Sequence, residues 1–160
     1  MPARDYLIDH SGFDWTDLLS GWAWLLPVEV TVWLMNRFGD LFLTSPGGTV
    51  HLLDVGAGSL TRLAEDRNDF FRKLDEEGNA DDWLMIPLVD RLTAAGIRLQ
   101  SGQCYSFVVP PVLGGDYTAE NTVVLPIKEH YEAYGSYHCS LRGMPDGTQV
   151  SIEVKNPPPS

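Results

Sequence analysis

The sequence predicts an α+β fold in one domain spanning residues 1–160, a mainly antiparallel sheet with helices packed on one face and at the ends. Three observations carry that expectation. Ser45-Pro46-Gly47-Gly48 separates two β-rich runs, Leu41–Thr44 and Thr49–Asp54, and proline followed by two glycines is strong turn chemistry, so the runs form an antiparallel hairpin. Apolar residues recur at helical spacing in three later stretches. Between those stretches lie short, β-branched runs with alternating polarity.

The elements follow in chain order. Residues 1–13 form a lead-in. In "DWTDLLSGWAWLL" the residues Trp15, Leu18, Leu19, Trp22 and Leu25-Leu26 share a helical face, with Asp14 or Ser11 as cap, and Pro27 closes the helix. This aromatic segment serves a dimer patch as readily as a core. Residues 28–35, "VEVTVWLM", alternate with Val28, Val30 and Val32 on one face, which suggests a strand and also fits a short amphipathic helix. After the hairpin, Gly56-Ala57-Gly58 leads into a third strand over Leu60–Leu63, completing a meander.

"EDRNDFFRKLDEEG" places Phe70, Phe71 and Leu74 on one helical side, with Gly78 as terminator. "NADDWLMIPLVDRLTAAG" reads as one helix capped by Asn79 or Asp81, with Pro87 near its first turn. A strand from Cys104 to Val109 ends at Pro110-Pro111, Gly114-Gly115 turns the chain, and Thr122–Leu125 is extended again. Pro126 opens a helix with Ile127, Tyr131 and Tyr134 inward. A terminal strand aligns Val150, Ile152 and Val154, and residues 155–160 are a solvated tail.

Composition narrows the function classes. The 160 residues are 44% hydrophobic with five Trp, six Tyr and six Phe, which is the make-up of a globular chain able to bury a core. No apolar run nears the roughly 18–20 residues that span a bilayer, and the charged start "MPARDYLIDHSGFDW" reads as no export signal. Two cysteines, Cys104 and Cys139, fit buried thiols in a reducing cytoplasm rather than a disulfide framework. A net charge of −11 argues against binding nucleic-acid phosphates or anionic membranes directly.

Part of the negative charge is concentrated. Residues 65–82 hold eight acids (Glu65, Asp66, Asp69, Asp75, Glu76, Glu77, Asp81, Asp82) and three bases. Such a run is a solvated helix face or a surface matched to a basic partner.

The stretch "VHLLDVGAGSL" invites a cofactor reading, because a strand ending in an acid before Gly-x-Gly often opens a loop for S-adenosylmethionine. Its context disagrees. A doubly wound sheet needs a second strand about 20 residues on, ending in an acid, and that position holds the helical "FFRKLDEEGN". The Pro-Gly-Gly hairpin also makes the preceding strands antiparallel. The loop reads as a turn, and no cofactor is expected. His10, His51, His130 and His138 form no pair at ligand spacing, since His130 and His138 lie more than two helical turns apart. His51 reads as a strand-face residue, and Asp81-Asp82 as caps or solvated acids rather than a cation site. No serine lies in a nucleophile elbow and no Cys–His motif surrounds Cys104. Catalytic and metal residues are therefore expected to be absent.

Five segments carry a resemblance: "NRFGDLFL", "GTVHLLDVGAGSLTRLA", "NADDWLMIPLVDRL", "GQCYSFVVPPVLGGDYTAENT" and "LRGMPDGTQVSIEV". Together they resemble the bacterial type VI secretion immunity proteins named for inhibitors of a DNase effector, whose C-terminal region was long catalogued as a domain of unknown function. The resemblance runs roughly from Trp15 to Val154 and is most specific from Gly39 to Asn121. Its markers are Gly39-Asp40-Leu41-Phe42, Leu53-Asp54-Val55-Gly56 and Pro111-Val112-Leu113-Gly114-Gly115.

The resemblance implies a non-enzymatic cytoplasmic protein that binds a cognate antibacterial toxin, a basic nuclease for preference, and shields its producer. On that reading Glu76, Glu77, Asp81 and Asp82 are the expected partner-binding residues. The alternatives are an interaction module with a regulatory or scaffolding role and, further off, a small methyltransferase-like enzyme.

Overall fold

The computed structural model describes residues 3–142. The expected strand through Val150, Ile152 and Val154 and the tail 155–160 lie outside the described residues. The core of the fold is a four-stranded antiparallel meander in the order β1 (Thr31–Met35), β2 (Leu41–Thr44), β3 (Val50–Asp54) and β4 (Ser59–Ala64). A second antiparallel pair joins β5 (Gln103–Phe107) to β6 (Thr122–Pro126). Five helices accompany them: α1 (Trp15–Leu18), α2 (Arg67–Leu74), α3 (Asn79–Trp83), α4 (Ile86–Ala94) and α5 (Ile127–Leu141). The α+β class and the antiparallel hairpin are as the sequence predicts, and residues 31–35 are strand.

Alternation sorts the side chains into two cores. Leu41, Leu43, Leu53, Val55 and Met35 pack with Trp22, Cys104 and the α5 residues Ile127, Tyr131 and Tyr134. Phe42 and Val50 point the other way, toward Phe70 of α2 and Leu88, Val89 and Leu92 of α4. Apolar side chains thus cover both faces of β2, all four residues of which are buried. A bulge in β1 between Val32 and Leu34 lets the consecutive residues Trp33 and Leu34 both serve the Phe70 side.

Four expectations change in detail. The N-terminal helix is only α1, capped by the Asp14 carboxylate on the Asp17 N–H, followed by a 3-10 turn at Ser20–Trp22. Gly21 weakens the helix there. The fully buried Trp22 instead donates its indole N–H to Tyr131 O at 3.0 Å. Val28 lies before β1 and is fully exposed.

The single helix expected over "NADDWLMIPLVDRLTAAG" is two. Gly78 precedes α3 in the left-handed region rather than ending α2, and Met85 (φ 53°) breaks the chain between α3 and α4. Pro87 accounts for the break. It lacks the N–H that would bond Trp83 O four residues back, and that carbonyl accepts instead from Asn36 Nδ2 at 3.0 Å.

Candidate functional site

The structure divides the acidic run into two groups. Asp66 caps α2 by accepting the Asp69 N–H, and Asp69 accepts the Glu65 N–H while pairing with Arg72 and Lys73. The Glu65 N–H and the Arg72 guanidinium hold the Asp69 carboxyl well below the usual carboxylate range. These acids are occupied by the fold. Glu76 and Glu77 are exposed in the turn between α2 and α3, and Asp81 and Asp82 occupy the exposed first turn of α3.

Asp81 and Asp82 border a cleft of about 350 Å³ at one end of the meander. Asp40 and Asp54 enter it from the sheet, Trp83, Met85, Pro87, Leu88 and Arg91 from the helices, and Tyr117 from the loop after β5. The hairpin register explains the sheet pair. Leu41 opposes Leu53, so the residues one step beyond, Asp40 and Asp54, end neighbouring strands side by side. Glu76 and Glu77 are not among the cleft residues; they lie on the adjoining turn.

Asp40 is held rather than free. Its Oδ1 accepts the Val55 N–H at 2.9 Å and its Oδ2 accepts from Asn36 Nδ2 at 3.1 Å. The buried Asn36 also accepts the N–H groups of Phe38 and Asp40 through its own Oδ1. One asparagine therefore fixes the β1–β2 turn and, through Trp83 O, the acidic helix beside it. Burial first, and the Asp54 charge second, push the Asp40 carboxyl well above the ordinary value, against the two hydrogen bonds that lower it. Burial and the same two aspartates push the Tyr117 hydroxyl up to about 12.

The Gly-Ala-Gly stretch is a hairpin turn. Gly58 N–H bonds Asp54 O at 2.8 Å, Ala57 N–H bonds Asp54 Oδ1 at 3.0 Å, and Asp54 pairs with Ser59 across β3 and β4. Its glycines face protein. A Cβ on Gly56 would lie 3.2 Å from Pro111, and one on Gly58 (φ +70°) would lie 2.4 Å from His138 Nδ1.

The histidines are separated. His130 Nδ1 and Ser106 Oγ share a buried 2.8 Å hydrogen bond, and His138 Nε2–H donates to Val55 O at 2.7 Å. Burial lowers both rings, His130 to about 4. His10 donates to Trp33 O, and His51 sits half-buried on β3 opposite Leu43 and Arg62. Among the described residues no group of three or more His, Cys, Asp or Glu is placed to hold a metal ion. Cys104 is buried as expected, but Cys139 is exposed, because its position on α5 turns away from the face formed by Tyr131, Tyr134 and His138. No helix among the described residues is long and apolar enough to cross a membrane.

Sequence reasoning missed Asp40, Asp54, Arg91 and Tyr117 as neighbours of Asp81 and Asp82. The hairpin register was signal enough for the first two. A larger apolar groove of about 910 Å³, lined by Phe13, Trp15, Leu19, Leu26, Val30 and Val32 among others, runs along β1 away from these acids.

Comparison with curated proteins gives no match. Among solved structures, the crystal structure of Atu4351 from Agrobacterium tumefaciens is similar with a TM-score of 0.48 and 20% identity. That similarity covers 75% of this chain, which spans 60% of the other's length. Residues 64–136, from the end of β4 into α5, match the family described as T6SS immunity protein Tdi1, C-terminal, and include Asp81, Asp82, Arg91 and Tyr117 of the cleft. This match supports the type VI secretion immunity family for the chain, in agreement with the resemblance its motifs carry.

Proposed function

We propose that this chain is a non-enzymatic immunity protein that binds and neutralises a cognate toxin of type VI secretion in the cytoplasm of the producing cell, and that the toxin is a basic nuclease. The observation that carries the reading is the family match over residues 64–136. The net charge of −11 adds the physical complement. A nuclease surface must be basic to hold DNA phosphates, and an acidic inhibitor is steered to that surface and competes for it. The binding face on this reading is the free half of the acidic run, Glu76 and Glu77 on their turn with Asp81 and Asp82 at the cleft.

The direct test pairs the chain with candidate toxins from the genes neighbouring its own. Co-expression should restore growth to cells producing the toxin, and the purified chain should abolish DNA cleavage at equimolar amounts. Continued killing despite soluble immunity protein would end the immunity reading. Protection from a toxin that leaves DNA intact would end only the nuclease assignment.

A further inference from the structure

We infer that the loop between β5 and β6 is the apolar anchor of the toxin interface, with Tyr117 joining it to the acidic cleft; the inference rests on the immunity reading above. The loop exposes apolar side chains to an unusual degree. Val108, Val109, Val112 and Tyr117 are 60%, 45%, 42% and 48% exposed, four of the six large hydrophobic residues with exposed surface among the described residues. Scattered single apolar residues need no explanation, but several on one ten-residue segment mark an interaction surface.

The segment is also pre-formed. The side chain of Asn121 accepts the Val109 N–H at 2.9 Å and donates to Val109 O at 3.0 Å and to Asp116 O at 2.9 Å. The Asn121 backbone carbonyl takes the Val108 N–H. Gly115 lies so close to this staple that a Cβ would meet Val109 O at 1.8 Å. A loop held this way presents its valines with little ordering entropy left to lose on binding, and pre-organisation of that kind raises affinity.

The fold directs the loop to the acidic end of the meander. Pro111 and Phe107 pack on Gly56 of the β3–β4 turn, Tyr117 stands edge-on to Phe107 with centroids 5.2 Å apart, and the Tyr117 side chain lines the cleft that Asp54, Asp81 and Asp82 border. The surface therefore offers a loop of exposed apolar side chains beside an acidic cleft, with Tyr117 belonging to both. The partner that fits is a protein surface of the opposite design, with apolar side chains beside a protruding lysine or arginine. This is the charge complement of a nuclease's DNA-binding face. Tyrosine at the junction suits the role, since aromatic anchors dominate interface energetics while charged neighbours steer encounter.

The two parts separate kinetically. With the catalytically inactivated form of the toxin that the co-expression test identifies, the test measures association and dissociation by surface plasmon resonance at several salt concentrations. Tyr117→Ala should speed dissociation by roughly tenfold or more, and the Val109→Ser/Val112→Ser pair by several-fold, with the salt dependence of association unchanged. Val28→Ser, an exposed control outside the loop and cleft, should match wild type. The exposed valines keep the test valid if Tyr117→Ala proves less stable, and urea unfolding of each variant identifies that case. Wild-type binding with unaltered dissociation in the valine pair overturns the anchor while leaving immunity standing. Failure of the wild-type chain to bind the toxin overturns both.

Discussion

A methyl group added at Gly58 tests why the Gly-x-Gly stretch exists. Two terms oppose Gly58→Ala. The backbone sits at φ +70°, a left-handed conformation that costs an alanine about 1 kcal/mol. The new Cβ would also lie 2.4, 2.5 and 2.7 Å from three atoms of the His138 ring. That ring cannot swing aside freely, because it is buried against Trp22 and Tyr134 and its Nε2–H is bonded to Val55 O at 2.7 Å. Overpacking of this kind costs about 1–3 kcal/mol, and a lost buried hydrogen bond about 1–3 more. The total is about 4 kcal/mol, which at a urea slope of about 2 kcal/mol/M moves the midpoint down by about 2 M. In a His138→Ala background the obstacle is gone and only the backbone term of about 1 kcal/mol remains. A double-mutant cycle by urea unfolding should therefore show a coupling of about 3 kcal/mol. Equal costs of Gly58→Ala in both backgrounds would refute the contact and the packing role assigned to this glycine.

Further predictions follow from the buried and exposed titrating groups. His130 is lowered to about 4 when folded against an ordinary value near 6.5, so the unfolded chain binds the proton first. Stability should be full above about pH 6.5 and fall by about 3 kcal/mol as the pH drops toward 4; His130→Gln should flatten that loss in urea titrations. Ellman's reagent should modify one thiol of the native protein, Cys139, and two after denaturation, because Cys104 is fully buried with its thiol pushed up. Asp40→Asn replaces an accepting oxygen with a second NH₂ facing Asn36 Nδ2 or removes the acceptor for Val55 N–H. It should cost about 1–3 kcal/mol by urea unfolding, and a neutral effect would contradict the network. Reversing Glu76, Glu77, Asp81 and Asp82 to lysine should slow toxin association and flatten its salt dependence; unchanged kinetics would remove those residues from the binding face.

Local chemistry explains which parts of the fold were legible. The β2–β3 hairpin needs only Ser45-Pro46-Gly47-Gly48 and its flanking runs, and α5 shows its inner face through Ile127, Tyr131 and Tyr134. The break between α3 and α4 was legible in Pro87, which suits the first turn of a helix starting at Ile86 but would lie more than two turns inside one starting at Asn79, so reading the stretch as a single helix misplaced it. The deciding contact is Asn36 with Trp83 O, 47 positions away. The short α1 has the same origin, since Trp22 bonds Tyr131 O across 109 positions. At the candidate site, Asp81 and Asp82 stood out through charge density. Asp40 and Asp54 went unpaired in the sequence reading, although the register of the predicted hairpin, with Leu41 opposite Leu53, sets them side by side. Arg91 and Tyr117 carried no local signal at all.

The sequence motifs acquire a common physical meaning at this end of the meander. Gly39, at φ +77°, is so near the His130 ring that a Cβ would come within 2.9 Å, and its carbonyl accepts from Tyr131. Gly56 admits Pro111, Gly58 admits His138, and Gly115 admits the Val109 carbonyl. Of the marker glycines, Gly39, Gly56 and Gly115 are places where a second element approaches the backbone, whereas Gly114 (φ +93°) has open space around it and serves the turn alone, so the three motifs that look separate along the chain meet in one assembly of β1–β2 turn, β3–β4 turn, loop and α5. Such positions are constrained by packing alone and carry no information about a partner. On the proposed immunity function, discrimination between toxins is assigned to side chains that the packing leaves exposed: Glu76, Glu77, Asp81, Asp82, and the valines around the Asn121 staple. Exchanging those exposed residues between relatives, with the glycines untouched, should transfer toxin choice without loss of stability, because surface changes away from the packed contacts cost little.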